Sequence, residues 1–535
     1  MKTHIRAGMA ATVLLLVIGV STFGTSHVFA AQGDPPGPDR YTIISVDYTA
    51  YEWWLVQWGN SAASCQLYVD HDGLPSGAEI YNGCGEALYT EWSQTPPCPQ
   101  AETDPSACLG DYLEFVQSGP ATKQIGVALP EPAAWVTLDG CASVDLTNRC
   151  DSLPTLVLTG EEPLPNEKIT GIAGKIDGRP FTCDPTCQVD LAPTSQDGID
   201  VQFWALSSYG DSSVVYDAQV RVVRGEDIGS KYWYVDVISS QWRGAPQAAC
   251  SEVWNAFPPV GGPPDWLSTP QRAEDLASSI PYAYLAANLI SQGAVDVSAC
   301  PDDGLSPDGS ASTCGMDAAR TAVHDWQNRF DSQIFSSALD SGIPAQLLKN
   351  LFSRESQFWP GLLSSRPEVG LGHLTDNGAD TALLWNQSFY EQYCPLVLSN
   401  DACKKGYAQL KAEDQATLRG ALVHSVDASC SDCPMGLDLS QADFSVTVFA
   451  QTLAANCEQT GTIVHNASGK SPGQASSYED LWRFTLVNYN AGPGCLILAL
   501  REAQRRGDPL DWAHVSAVLT PACQGAIEYV GTISQ

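Results

Sequence analysis

Residues 343–375 read IPAQLLKNLFSRESQFWPGLLSSRPEVGLGHLT, and residues 488–494 read NYNAGPG. In the first stretch Pro344 is placed to open a helix. Leu347, Leu348, Leu351 and Phe352 then recur at the three- and four-residue spacing of one helical face. Glu355 lies seven residues after Leu348, four after Leu351 and three after Phe352, so it shares that apolar face. Most helical glutamates are solvated surface charges, and an ion pair with Arg354 or Arg366 is a second plain account. A carboxyl turned away from water favours its protonated form, the condition for an acid that donates near neutral pH. In the second stretch Gly492, Pro493 and Gly494 end a helix just after Tyr489. Tyr478, Leu481, Trp482, Thr485 and Tyr489 also form one helical stripe, so Tyr489 reads equally as core. A buried phenol would still need a hydrogen-bond partner.

Working outward, the period is helical from Gly315: Val323, Trp326, Phe330 and Ile334 line one face, and Gly342 follows as a C-cap. Tyr41 to about Val222 is different. It is rich in β-branched and aromatic residues broken by Gly, Asn, Asp and Pro, the composition of short antiparallel strands. Tyr51, Trp53 and Leu55 alternate with Glu52, Trp54 and Val56; Ile199, Val201, Phe203 and Ala205 alternate with Asp200, Gln202 and Trp204. Two β-sandwiches split near residues 153–160 are expected. The segment GIDVQFWALSSYGDSSVVYDAQVRVV resembles the immunoglobulin-like modules of bacterial surface proteins. Between the β-rich and helical parts lie the hinge FPPVGGPPDW and the loop CPDDGLSPDGSASTC. Asp302, Asp303 and Asp308 in that loop lack the alternating acids and closing Glu of an EF-hand, so a disulfide-pinned surface loop is expected.

The fold class that follows is multidomain, N-terminal all-β and C-terminal mainly α. The expected divisions are a signal segment at 1–30, one β-sandwich at 31–155, an immunoglobulin-like domain at 156–225, a linker and docking segment at 226–315, and a helical domain at 316–535. Residues 1–30 carry Lys2 and Arg6, an apolar run from Ala10 to Val20, and Val28-Phe29-Ala30 as a small-residue cleavage pattern. Export is therefore expected, to a secreted or cell-envelope location. No cysteine stands at that site to take a lipid, and no later stretch reaches the roughly 18 apolar residues of a membrane span.

Eighteen cysteines suit an oxidising compartment. Eight fall between Cys65 and Cys187, three between Cys250 and Cys314, and seven between Cys394 and Cys523. The last two groups are odd, so either a bridge joins them or each keeps a free thiol. Cys430-Ser431-Asp432-Cys433 reads as a structural disulfide before it reads as zinc, which would need ligands such as Cys394, Cys403 or His424. No metal and no cofactor is expected. The formal charge of −34, or −36 once Lys2 and Arg6 leave with the signal, argues against nucleic acid and anionic membrane as partners.

Glu355-Ser356-Gln357-Phe358-Trp359-Pro360 resembles the Glu-Ser-x-Phe-x-Pro that opens the site of the soluble lytic transglycosylase (SLT) catalytic domain, a lysozyme-like fold that cuts peptidoglycan. Ser364 matches the family's Ser nine residues on, and Gly370-Leu371-Gly372-His373-Leu374 stands where the family has Gly-Leu-x-Gln-Leu. Asn488-Tyr489-Asn490-Ala491-Gly492-Pro493-Gly494 meets its Ala-Tyr-Asn-Ala-Gly-Pro-Gly. The resemblance covers roughly 317–517, with two departures. His373 replaces the cleft-lining Gln, and residues 376 to about 435 form a cysteine-bearing insertion that could wall or lid the cleft. The plain alternative for His373 is an ordinary surface-loop residue.

The resemblance implies that Glu355 is the single acid, which protonates the glycosidic oxygen between N-acetylmuramic acid and N-acetylglucosamine. The substrate's acetamido group stabilises the oxocarbenium-like state, and the same Glu then deprotonates the muramyl 6-hydroxyl to give a 1,6-anhydro sugar. Ser364 and the loop Gly370, Leu371, Gly372 and His373 would line the cleft, with Tyr489 and Asn490 closing it. Glu368, Asp376 and Asp380 are nearby acids outside the motif positions. The alternatives are a goose-type muramidase, in which water replaces the 6-hydroxyl, and a non-catalytic wall-binding protein. The partner expected in each case is peptidoglycan, with the β domains bound to cell wall or a surface partner.

Overall fold

The computed structural model describes residues 40–141, 149–227, 230–244, 249–361 and 368–535. The expected signal segment, Ser364 and Arg366 lie outside the described residues. The chain is β-rich in its N-terminal part and helical in its C-terminal part.

The β-rich part opens with a ribbon. Strands β1 (Tyr41–Gln57) and β3 (Asp111–Ala128) pair antiparallel from Tyr41 opposite Ala128 to Gln57 opposite Asp111. At about 3.4 Å per residue this ribbon runs on the order of 55 Å. Strand β2 (Ala63–Val69) and helix α1 (Gly77–Ser93) cover its far end, where Trp53, Leu67, Val69 and Ile80 make a small core. So small a core gains from its staples, Cys65–Cys84 and Cys98–Cys108. A three-stranded sheet with one helix thus stands where a first sandwich was expected.

The next unit is one sandwich rather than the second of two. It is built from β4 (Ala133–Asp139), β5 (Arg149–Cys150), β6 (Thr155–Glu161), β7 (Ile169–Ile176), β8 (Arg179–Cys183), β9 (Thr186–Asp190), β10 (Ile199–Ser207), β11 (Tyr216–Asp227) and β12 (Ser230–Ile238). Sheets β4-β6-β9 and β5-β12-β11-β10-β7-β8 share a core that includes Val136, Leu156, Leu158, Ile172, Phe203 and Val220. The expected boundary near 155 falls at the start of β6, which pairs with β4 before it and β9 after it. The expected linker start at 226 cuts β11 from β12, although the two pair from Gln219 opposite Ile238 to Asp227 opposite Ser230. In both places the physical reason is the same: an apolar sheet face is buried only when both sheets are complete.

The helical region comprises α2 (Ala249–Trp254), α3 (Ala283–Ser291), α4 (Thr313–Asn328), α5 (Asp331–Ser341), α6 (Ala345–Glu355), α7 (Asp376–Trp385), α8 (Gln387–Tyr393), α9 (Asn400–Cys403), α10 (Ala412–Ser425), α11 (Leu439–Ser468), α12 (Pro472–Ala475), α13 (Tyr478–Ala491), α14 (Pro493–Arg506), α15 (Trp512–Ala517) and α16 (Gly525–Ile533). They share a single core. Its axis is α11, 30 residues and about 45 Å long. Asp438 caps its start by accepting from the Ser440 and Gln441 amides, and Gly469, in the left-handed region at φ 69°, ends it.

Two segments expected outside that core belong to it. Trp254, Trp266 and Leu285 of the expected linker are buried there, and so are Leu383, Tyr390, Leu418 and Leu422 of the expected insertion. The expected loop at 300–314 is closed by Cys300–Cys314.

All eighteen cysteines pair, forming nine disulfides. Cys250–Cys457 is the bridge that resolves the two odd groups, tying α2 to α11. Cys430 bonds Cys433 and Cys394 bonds Cys403, which removes the thiolates a zinc site would have used. Nine disulfides fit a chain that matures outside the reducing cytoplasm. Among the described residues no helix is long and apolar enough to cross a membrane.

Candidate active site

Glu355 is the last residue of α6. The helix is fixed by its apolar stripe, since Leu347, Leu348, Leu351 and Phe352 are all fully buried. On another side Lys349 reaches Asp331 at 2.5 Å and Asn328 at 2.8 Å. Burial pushes the Asp331 carboxyl up and the Lys349 amine down, so this pair holds α6 in register at the cost of two desolvated charges.

Immediately after Glu355 the chain turns sharply. Gln357 and Phe358 both take left-handed backbone, at φ 48° and 62°. Both bends are secured by the rest of the core. The Gln357 side-chain oxygen accepts from the Tyr284 amide at 2.9 Å, and Trp326 donates its indole N–H to the Phe358 carbonyl at 2.8 Å. Ser356 is buried and donates to the Leu371 carbonyl at 2.7 Å, which couples the end of α6 to the glycine loop.

That loop is a short hairpin closed by two hydrogen bonds, from the Val369 amide to the Leu374 carbonyl and from the Leu374 amide to the Val369 carbonyl. Its glycines are dictated by close approach. A Cβ on Gly370, where φ is 73°, would meet Ser445 and the Val426 carbonyl at 3.0 Å, and one on Gly372 would stand 2.5 Å from the Phe449 ring. His373 follows at φ 55°, an uncommon conformation for a residue with a side chain.

Three chemical groups gather around the carboxyl, one of them on the hairpin. His373 Nδ1 lies 3.4 Å from Glu355 Oε2 and 4.0 Å from Glu368 Oε2. Its side chain is only 7 % exposed, and Nε2 is buried without a hydrogen-bond partner. From α16, Tyr529 donates its hydroxyl to Glu355 Oε1 at 2.5 Å. From α13, Tyr489 donates its hydroxyl to the Gly372 carbonyl at 2.5 Å. Burial, then the charge of Glu355, holds both phenols well above the ordinary tyrosine value, with Glu368 adding to Tyr489 and Tyr489 adding to Tyr529. Both hydroxyls therefore act as proton-bearing donors. With 16 % of its side chain exposed, Glu355 is neither on open surface nor sealed.

Among the sequence-derived candidates, Glu355, Leu371, Gly372, His373 and Tyr489 come together, and Gly370 shapes the loop. Asn490 is exposed on the last turn of α13. Its neighbour Asn488 is the buried one, donating to the Asn456 carbonyl and to Gln459. Ser364 lies outside the described residues. Two further side chains stand at the site without a motif position to mark them. Glu368 was visible only as a nearby acid, and Tyr529 gave no more signal than a tyrosine on the apolar face of a short C-terminal helix.

A polar cleft of about 730 Å³ lies elsewhere, lined by Gln202, Tyr216, Asp217, Gln219 and Glu252 where the sandwich meets α2. Its Asp217 and Asp200 accept from the cross-strand amides of Gln202 and Gln219. The acid, imidazole and phenols assembled around Glu355 mark it as the candidate reaction centre. No protein-family model, curated protein or solved structure matches the chain.

Proposed function

We propose that the protein is an exported peptidoglycan lytic transglycosylase whose reactive acid is Glu355. The observation that carries this reading is a carboxyl at the end of a buried helix, with Tyr529 on one oxygen and His373 beside the other. A group so held keeps one orientation toward a bound bond, which is the larger part of general acid catalysis.

In this reading Glu355 protonates the glycosidic oxygen between N-acetylmuramic acid and N-acetylglucosamine, and the C1–O bond breaks. The substrate's acetamido group supports the oxocarbenium-like centre. The muramyl 6-hydroxyl attacks C1 and its proton returns to Glu355, leaving a 1,6-anhydro end. The hairpin through Gly372, with Tyr489 behind it, forms the wall against which the sugar lies. A lysozyme-like fold for the helical region, and wall binding by the immunoglobulin-like β part, belong to the same reading.

Hydrolysis is the second reading, and Glu368 favours it. Glycosidases that use water employ two carboxylates, and Glu368 supplies a second one beside the same His373 nitrogen, Nδ1. Digesting purified peptidoglycan and weighing the muropeptides separates the two. Anhydro products are lighter by one water than the hydrolysed ends.

A further inference from the structure

We infer that the outer face of the β2-β1-β3 sheet is a binding platform for a neutral sugar chain, built around the carboxylate of Glu52. The choice of a peptidoglycan strand among such chains rests on the reading of Glu355 as the acid. The platform itself rests on its own contacts.

Strand register sorts the side chains. Tyr51 and Trp53 of β1, with Leu67 and Val69 of β2, pack on the side of α1. The alternate residues take the other face: Glu52 with Tyr68 opposite it on β2 and Gln117 on β3, then Trp54 with Gln66 opposite. Tyr68 is 60 % exposed there, and both glutamines are exposed. Glu52 differs from them, because it is buried at the centre of a wet face. Trp54 donates its indole N–H to Oε1 at 2.8 Å, Gln117 donates its amide to Oε2 at 2.8 Å, and Gln66 also donates to Oε1. These donors, Gln117 foremost, hold the Glu52 carboxyl below the ordinary carboxylate range. A buried anion is costly unless it is hydrogen-bonded, and here its partners are the surface groups themselves. An indole and two amides are thus fixed in orientation before any ligand arrives. With their N–H groups turned to Glu52, the amides keep their carbonyl oxygens to accept from hydroxyls. Tyr68, whose hydroxyl accepts from Gln66 at 2.9 Å, keeps its own proton to donate.

A sugar ring carries C–H groups on its flat faces and hydroxyls around its rim. The rings of Trp54 and Tyr68 suit the first, and the oriented amides and phenol suit the second. Trp58 and Tyr112, stacked with 4.0 Å between ring centroids, extend the aromatic surface past Val56, which pairs with Tyr112. From Glu52 to Val56 the strand runs about 13 Å, longer than one sugar ring. Charge selects a neutral ligand. Among the described residues of this face the single cation is Lys123, and it is paired with Asp70, while Glu52 and Glu114 are acids. An extended peptide would add to an unpaired strand edge, whereas these groups stand on the sheet face.

The test uses full-length, disulfide-intact protein carrying Glu355→Gln, so that a strand is bound and not cut, with pelleting on purified peptidoglycan sacculi as the readout. Adding Tyr68→Ala or Trp54→Ala should weaken pelleting about tenfold each, and a Gln66→Ala, Gln117→Ala pair by a similar factor. Tyr68→Ala removes an exposed ring, so its urea midpoint should not move, which separates lost binding from lost folding. A peptide-free hexamer of β-1,4-linked N-acetylglucosamine should displace the protein from sacculi, and should bind about equally at about 50 mM and about 500 mM salt. Undiminished pelleting by a Tyr68→Ala, Trp54→Ala double variant would overturn the platform, and so would displacement by free stem peptide but not by the hexamer. The reading of Glu355 fails separately: pelleting that depends on Tyr68 and Trp54, with no muropeptide released by a chain that keeps Glu355, would overturn the acid and support the platform.

Discussion

The hydroxyl of Tyr529 donates to Oε1 of Glu355 at 2.5 Å across 174 residues of sequence, binding the last helix of the chain to the end of α6. A hydrogen bond to a charged group is worth about 1.5–3 kcal/mol. Tyr529→Phe should therefore lower kcat/KM on peptidoglycan by roughly tenfold to a hundredfold, with the loss in kcat. Steady-state release assays check this, and an unchanged kcat would remove Tyr529 from the site.

The two phenols also set an alkaline limit to stability. Tyr489 and Tyr529 keep their protons in the folded chain at a pH where the unfolded chain has released them. Their contribution is complete below the ordinary tyrosine value of about 10 and is lost as pH rises toward the folded values, by about 1.4 kcal/mol per pH unit for each. Urea midpoints compared at about pH 9 and about pH 11 should fall more steeply for wild type than for a Tyr489→Phe, Tyr529→Phe double variant.

Gly372 is a packing constraint on the site. Gly372→Ala places its new carbon against the ring of Phe449, which is fully buried and has little room to yield. The expected outcome is a loss of about 1–3 kcal/mol in stability, from overpacking. A larger proportional loss of activity should accompany it, because the carbonyl that holds Tyr489 moves with the hairpin. Urea unfolding and release assays on the same sample measure the two effects.

Cys250–Cys457 closes a span of 207 residues. In the chain-entropy model such a bridge stabilises by about 5 kcal/mol, so a Cys250→Ser, Cys457→Ser double variant should lose up to that amount. The bridge is remote in sequence from the hairpin and from α6, so the folded fraction should cleave as wild type does. Denaturant midpoints set beside specific activity decide whether the bridge is structural alone.

Much of this was legible in the chain because local patterns carried it. The stripe of α6, the glycine break after Tyr489, the Gly342 cap and the alternation along β10 each follow from spacing within a few residues. Boundaries between units were not legible. Thr155–Glu161 pairs with strands on both sides of the expected split, and nothing local to β6 reports its partners. Cys250 and Cys457 could be inferred to belong to unmatched groups, but their pairing depends on α2 lying along α11. At the site, Glu355 and His373 could be named from residues 343–375, whereas Tyr529 arrives from α16 by tertiary packing. Glu368 stands close to His373 only because the Val369–Leu374 hairpin folds back.

Whether Glu355 breaks the glycan strand is read from muropeptide release from purified peptidoglycan by wild type and by Glu355→Gln, with pelleting on the same sacculi as the binding control. Glu355 as the acid requires release by wild type, a loss of at least a hundredfold in the variant, and equal pelleting of the two. Equal, near-zero release by both proteins with pelleting retained would contradict it, and would make this chain a wall-binding protein.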